Sequence, residues 1–248
     1  MTKQRLDTLL VDKGLAESPE KARALVMAGQ VLVDDRPAPK PGTMIDDSLV
    51  VQLSQRPRYV GRGGEKLEHA LQVFNLDVTR LIAADIGAST GGFTDCLLQH
   101  GAAKVYAIDV GRGQLDYGLR NDPRVVVMEG VNARELQPLP ELVGLVTADV
   151  SFISLKLVLP PARSILTEDG SIVALFKPQF EAAKDEVPRG GVIRDPLLRS
   201  TLIGRFVAWC VSNGFRVLDL AASPITGADG NQEFLFWLRP KTGQRSGS

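Results

Sequence analysis

Between Glu65 and Leu238, short apolar runs alternate with helical segments, and this rhythm constrains the fold more than any other feature of the chain. The runs are Leu81–Ile86, Lys104–Asp109, Val125–Met128, Leu145–Asp149, Ser171–Lys177, Arg216–Ala221 and Glu233–Leu238, with a helix over about Glu65–Phe74 ahead of the first. Alternation of this kind over such a length predicts a doubly wound α/β sheet. The first run leads into Asp85-Ile86-Gly87-Ala88-Ser89-Thr90-Gly91-Gly92-Phe93-Thr94. Glycines at a strand end let the backbone turn sharply and approach a ligand where the next helix begins. The spacing is close to G-x-G-x-x-G, with Ser89 in place of the middle glycine. In a dinucleotide site that glycine makes room for the pyrophosphate. A nucleoside ligand without a pyrophosphate, such as a methyl donor, tolerates a serine there. Asp109 ends the second strand, placed to accept hydrogen bonds from ribose hydroxyls. Asp149 ends the fourth, where it either nears the reaction centre or caps the following helix.

The first sixty residues form a separate pattern. Leu6, Leu9, Leu10 and Val11 lie at helical spacing before a stop at Gly14. Ser18-Pro19 opens a second helix with Ala22, Leu25 and Val26 on its apolar face, and Gly29 ends it. Val31-Leu32-Val33, a turn at Asp34-Asp35-Arg36, and Leu49-Val50-Val51 read as short strands. Residues 55–64 read as a linker holding Arg56, Arg58, Tyr59 and Arg62 among glycines, which suits either a hinge or contact with a nucleic acid. The expected division is 1–54, linker 55–64, 65–240, and a flexible tail 241–248.

The charge count, 29 basic against 29 acidic residues, excludes a protein that coats nucleic acid by bulk charge, yet leaves room for a local basic patch. With 44% apolar residues a substantial core can form. No stretch approaches the ~18–20 apolar residues of a membrane helix. Cys96 and Cys210 have neither metal-ligand spacing nor the setting of a cytosine-attacking thiol. No metal site is expected, and a reducing cytoplasm is the expected location.

Several ordered motifs resemble known families. Arg5-Leu6-Asp7, Leu9-Leu10, Ser18 through Val26 and Gly29 through Val33 resemble the S4-type RNA-binding domain, a small α+β fold, although Asp34-Asp35 stands where that family often has Asn-Gly. The chain as a whole resembles the TlyA (haemolysin A) family of ribosomal RNA 2′-O-methyltransferases. The matching residues are Gly61 through Leu67, Asp85 through Thr94, Asp109-Val110-Gly111, Asn132-Ala133-Arg134, Asp149 through Ser154, Lys177 through Glu181, Ser223-Pro224 and Gly230 through Glu233. This implies a Rossmann-like FtsJ-type methyltransferase domain, a seven-stranded mostly parallel sheet whose last strand runs antiparallel. It implies S-adenosylmethionine as donor and ribosomal RNA as substrate, a cytidine, with large-subunit RNA favoured. The family's Lys-Asp-Lys-Glu tetrad carries over to Lys66, Asp149, Lys177 and Glu233. Donor contacts are expected from Asp85, Gly87, Ser89, Gly91, Gly92, Phe93, Asp109, Asn132 and Asp149. RNA contacts are expected from Arg5, Lys13, Lys21, Arg23, Arg58 and Arg62, though such residues also suit a solvated surface.

The implied chemistry is physically coherent. A ribose hydroxyl is a weak nucleophile until its proton is lost or shared. Lys177 could accept that proton or, remaining charged, stabilise the developing alkoxide. Two other classes make different demands on the chain. A non-catalytic RNA-binding assembly factor would be expected to lack donor-loop or tetrad residues. A membrane-active cytolysin would need an exposed insertion segment, and none is legible. The loop from Phe180 through Lys184, Arg189, Gly190-Gly191 and Arg194 suits either a mobile cover over RNA or an exposed crossover.

Overall fold

The computed structural model describes residues 3–27, 29–53 and 58–241, and the chain divides into two compact units, 1–58 and 59–248. In the smaller unit, β1 (Lys3–Arg5), α1 (Leu6–Asp12) and α2 (Pro19–Met27) precede β2 (Val31–Val33), β3 (Arg36–Pro37), β4 (Met44–Asp46) and β5 (Val51–Leu53). Gly14 and Gly29 follow the helices with φ of 70° and 68°, a conformation glycine adopts without steric cost. Asp34 and Asp35 do the work of Asn-Gly, both left-handed at 47° and 60°, so that Val33 pairs with Arg36 across a tight hairpin. The Asp34 carboxylate accepts from the Val50 N–H at 2.9 Å, so β5 begins two residues later than the apolar run Leu49–Val51 suggests. β1 pairs antiparallel with β4, an arrangement the sequence did not signal. Leu6, Leu9, Leu10, Ala22, Val26, Val31, Ile45 and Val51 bury against one another as the small core.

The larger unit opens with α3 (Gly63–Val73) and continues through β6 (Ile82–Ile86), α4 (Gly92–Gln99), β7 (Lys104–Asp109), α5 (Tyr117–Arg120) and β8 (Val125–Glu129). A 3-10 turn (Ala133–Glu135) leads to β9 (Val143–Ala148), α6 (Leu155–Ser164), β10 (Leu166–Phe176), α7 (Pro178–Glu181), α8 (Pro196–Ser212), β11 (Phe215–Ala222) and β12 (Phe234–Pro240). The sheet order is β11-β12-β10-β9-β6-β7-β8, and β12 runs against its neighbours. All seven expected strands are present. Residues 59–64, expected as linker, pack within this unit: Tyr59 is buried and α3 has started by Gly63, while 55–57 lie outside the described residues.

Alternation along each strand feeds two apolar layers. Ala83, Val105, Leu145 and Val173 face α3 and α4 through Leu67, Leu71, Phe74 and Leu97. Ala84, Tyr106, Val146 and Ala174 face α6 and α8 through Leu155, Val158, Leu202 and Phe206. The rings of Phe176, Phe206 and Phe236 meet at centroid distances of 4.9–5.5 Å and anchor the second layer. From β6 the chain first proceeds outward through β7 and β8, then crosses back to β9 and β10. The order therefore reverses between β6 and β9, and the crevice outside the carboxyl ends of such strands is where open α/β sheets bind ligands.

Candidate active site

That crevice is built from glycines. Gly87 follows β6 with φ of 84° and donates its N–H to the Ile108 carbonyl at 2.8 Å; a Cβ there would lie 2.3 Å from the Asp149 carbonyl oxygen. Gly91, at φ 99°, begins α4, and a Cβ there would strike Leu119 at 2.3 Å. Ser89 is itself left-handed, at 48°, a costly conformation for a residue with a side chain. Its N–H donates to Asp109 Oδ2 at 2.8 Å, while Asp109 Oδ1 accepts from the Gly111 N–H at 2.6 Å. A second glycine stretch closes the crevice from the other side. A Cβ on Gly92 would come within 3.0 Å of the Gly64 nitrogen and 3.1 Å of the Gly61 oxygen, so the two backbones touch. The resulting cleft is lined by Gly61, Arg62 and Gly63, by the loop from Gly87 to Thr90, and by Gly92, Phe93 and Asp149. By sequence Gly61–Gly64 suits a hinge or an RNA contact, and its spacing carries no sign that it forms this wall.

Asp85 was expected to touch the donor. It is fully buried instead, accepting from the Thr94 hydroxyl at 2.7 Å and the Thr147 hydroxyl at 2.9 Å. Burial pushes its pKa up to about 6 against the opposing effect of those hydroxyls. Its place is beneath the loop, joining β6 to α4 and β9. Asn132, also expected at the donor, caps the 3-10 turn after β8 by accepting from the Arg134 N–H at 3.1 Å.

Two lysine–carboxylate pairs stand at the same sheet edge. Lys177 follows β10 and Asp149 follows the adjacent β9; Lys177 Nζ lies 2.6 Å from Asp149 Oδ1 and 3.0 Å from Ser151 Oγ. Glu233 immediately precedes antiparallel β12, whose Phe234 pairs with Phe176, so its start meets the end of β10. Lys66 reaches Glu233 from α3 at 2.5 Å, and both are buried. Gly227 leaves room for this carboxylate, since a Cβ there would come within 2.5 Å of Glu233 Oε1. Beyond Ser151, Phe152 is 92% exposed and left-handed at 62°, with its ring 5.1 Å from Phe180.

The segment after Lys177 is tied down. Glu181 accepts from the Ser154 hydroxyl at 2.7 Å and the Leu155 N–H at 2.6 Å, and burial raises its pKa. Buried Asn231 donates to the Gly191 carbonyl and accepts from the Ile193 N–H, both at 2.9 Å. Burial pushes the Cys210 thiol up to about 12, with the Glu181 charge adding to it, which leaves no thiolate for attack on a base.

The six expected RNA contacts fall into different settings. Arg5 and Arg23 both pair with buried Asp7, at 2.8 and 3.0 Å, and so hold the small unit together. The Arg5 guanidinium, with help from Arg23 and the Thr8 N–H, keeps the Asp7 carboxyl well below the usual carboxylate range despite its burial. Both arginines remain about half exposed. Lys21 pairs with Glu17 on the surface; Lys13, Arg58 and Arg62 are exposed, and Arg62 lines the cleft. Among the described residues, no group of three or more His, Cys, Asp or Glu side chains is placed to hold a metal, and no helix is long and apolar enough to cross a membrane.

A sheet of this order, with its glycine loop at the switch point and one reversed strand beside the edge, defines a class I methyltransferase fold. The chain matches the FtsJ-like methyltransferase family over residues 59–240 and the S4 domain over residues 4–51. It is 46% identical over 244 residues to the 16S/23S rRNA (cytidine-2′-O)-methyltransferase TlyA of Mycobacterium tuberculosis, covering 96% of this chain and 90% of that one. It is 43% identical over 234 residues to Hemolysin A of Brachyspira hyodysenteriae, covering 93% and 98%. A solved chain from Streptococcus thermophilus superposes with a TM-score of 0.75 at 45% identity, covering 98% and 90%. The chain belongs to the TlyA (haemolysin A) family of S4-bearing, FtsJ-like methyltransferases.

Proposed function

We propose that the chain transfers a methyl group from S-adenosylmethionine to a ribose 2′-hydroxyl of ribosomal RNA, on a cytidine, in the cytoplasm. The observation that carries this reading is the meeting of the Lys177–Asp149 and Lys66–Glu233 pairs at the edge where the glycine cleft opens. The residues present suit the donor. Gly87, Ser89, Gly92, Phe93 and Asp149 bound the cleft. Each Asp109 oxygen accepts one backbone N–H and keeps a lone pair for a ribose hydroxyl. When bound, the donor supplies an electrophilic methyl on a sulfonium and leaves as a neutral thioether.

The chain's own groups do the rest. Lys177 is the group that meets the 2′-oxygen: as an amine it takes the proton; as an ammonium it stabilises the developing negative charge while the proton passes to water; and Asp149 orients it for either. Lys66 and Glu233 hold the neighbouring ground, each charge compensating the other out of water. Exposed Phe152 offers a flat face to the target base, which suits binding of an unpaired nucleotide. Holding the oxygen in line with the methyl would supply much of the acceleration.

The test is transfer of tritiated methyl from S-adenosylmethionine to ribosomal subunits lacking the modification, followed by mass-spectrometric mapping of ribose methyls. Large-subunit RNA is the first substrate to try. Label on a cytidine 2′-oxygen is expected; label on a base, or none on either subunit, overturns the reading.

A further inference from the structure

We propose that Ser151 is a positioning residue for Lys177, fixing the direction in which the lysine nitrogen faces the substrate oxygen. The proposal rests on the reading of Lys177 as the group that acts on the 2′-hydroxyl. Lys177 Nζ has three tetrahedral positions: Ser151 Oγ, at 3.0 Å, accepts a hydrogen bond from one of them, while Asp149 Oδ1, at 2.6 Å, pairs with the charge outside hydrogen-bond geometry. The ion pair fixes where the nitrogen sits and leaves it free to turn about the Cε–Nζ bond. The hydrogen bond to Ser151 fixes that turn, so the position facing the substrate, an N–H in the ammonium or the lone pair in the amine, has a set direction.

The hydroxyl suits this task better than a second carboxylate would. It accepts from an N–H of the ammonium or of the amine, so it stays bonded to Lys177 in either protonation state and leaves the amine's lone pair for the substrate. Ser151 also sits on a turn that is braced at both ends. At one end Asp149 forms an ion pair with Lys177 and Ser151 accepts its hydrogen bond, and at the other Ser154 and Leu155 bond Glu181, so residues 149–155 are clamped to residues 177–181. Between the clamps, the left-handed Phe152 fixes the path of the backbone. Ser151 is itself exposed, so removal of its hydroxyl opens no cavity in the core.

The test uses the full chain and compares S151A, S151T and K177A. Methyl transfer to ribosomal subunits is measured at saturating donor with subunit concentration varied, and S-adenosylhomocysteine binding is measured by calorimetry. S151A is expected to lower kcat about 10–100-fold, the weight of one hydrogen bond to a charged group. KM for the subunit and affinity for S-adenosylhomocysteine should stay within about twofold of wild type. S151T, which keeps the hydroxyl, is expected to recover most of kcat, and K177A to show no transfer. Wild-type kcat in S151A beside an inactive K177A overturns the Ser151 proposal and spares the lysine reading. A loss confined to KM, or an S151T as slow as S151A, also overturns it, because a substrate contact or simple packing would then suffice. An active K177A overturns the lysine reading itself.

Discussion

Two buried carboxylates, one in each unit, respond to pH in opposite directions. Asp7 is clamped by Arg5 and Arg23, so its folded pKa is depressed; its contribution to stability is present at neutral pH and is lost as acid protonates it. Asp85 has hydroxyl partners and no cation, and burial raises it to about 6. The folded chain therefore holds this proton more tightly than the unfolded chain between about pH 4 and 6. Stability falls as pH rises through that window, and above it the penalty is fully present, about 3 kcal/mol. Asp85→Asn removes the charge and keeps a group that can bond both threonine hydroxyls. Its melting temperature relative to wild type should rise by roughly 4–8 °C between pH 4.5 and 7.5. A pH-independent difference in thermal melts would show that Asp85 does not titrate there. In the sequence, Asp85 is a donor contact only as the family resemblance implies it. Only its packing against Thr94 and Thr147, nine and sixty-two residues away, reveals the supporting role.

At the level of elements, the glycine loop couples two strands that are far apart in sequence. The Asp149 N–H donates to the Ile86 carbonyl at 2.9 Å, and the Asp149 carbonyl sits where a Cβ on Gly87 would fall. Gly87→Ala thus meets both a left-handed φ and a backbone atom that cannot swing aside. We expect a cost of about 1–3 kcal/mol from the backbone conformation alone. Affinity for S-adenosylhomocysteine should fall at least about tenfold, since the loop must shift away from Asp149. Calorimetry on the variant checks this, and unchanged affinity would remove the loop from the donor site. The elements were legible where the apolar pattern is long and illegible where it is short. The helices of the small unit and β6, β7 and β8 begin and end close to expectation, because capping residues and glycines punctuate them. β1 and β4 have three residues each, with no apolar alternation to betray them. β10 starts at Leu166, five residues before the expected strand, because its first part is an irregular stretch of the ladder in which the register shifts between Leu166 and Ser171.

For the molecule as a whole, equal numbers of basic and acidic residues mean that RNA affinity must come from local placement. Each phosphate neutralised by a side chain releases counterions, so affinity should fall steeply with salt. Lys13→Ala and Arg62→Ala, both at exposed positions, should each flatten the plot of log affinity against log salt by about one phosphate contact. Arg23→Ala should differ in kind. It removes a partner of buried Asp7, and so should lower the stability of the small unit as well as RNA affinity. Filter binding between about 50 and 200 mM salt, with hydrogen exchange at Leu6–Leu10, separates the two effects. An unchanged slope in the Lys13 and Arg62 variants would take those residues out of the RNA interface.

Sequence by itself determined the class of the sheet, its seven strands, the glycine turn and the residue types at each strand end. Those properties are local, set by the period of apolar residues and by backbone freedom at glycine. Which charges meet was decided by tertiary structure alone. Lys66 and Glu233 are 167 residues apart, and Lys177 finds Ser151 across 26. Only the crossover of the chain between β8 and β9 and the reversal of β12 bring those side chains to one edge, since strand order is a property of packing between elements and leaves no periodic trace along any of them.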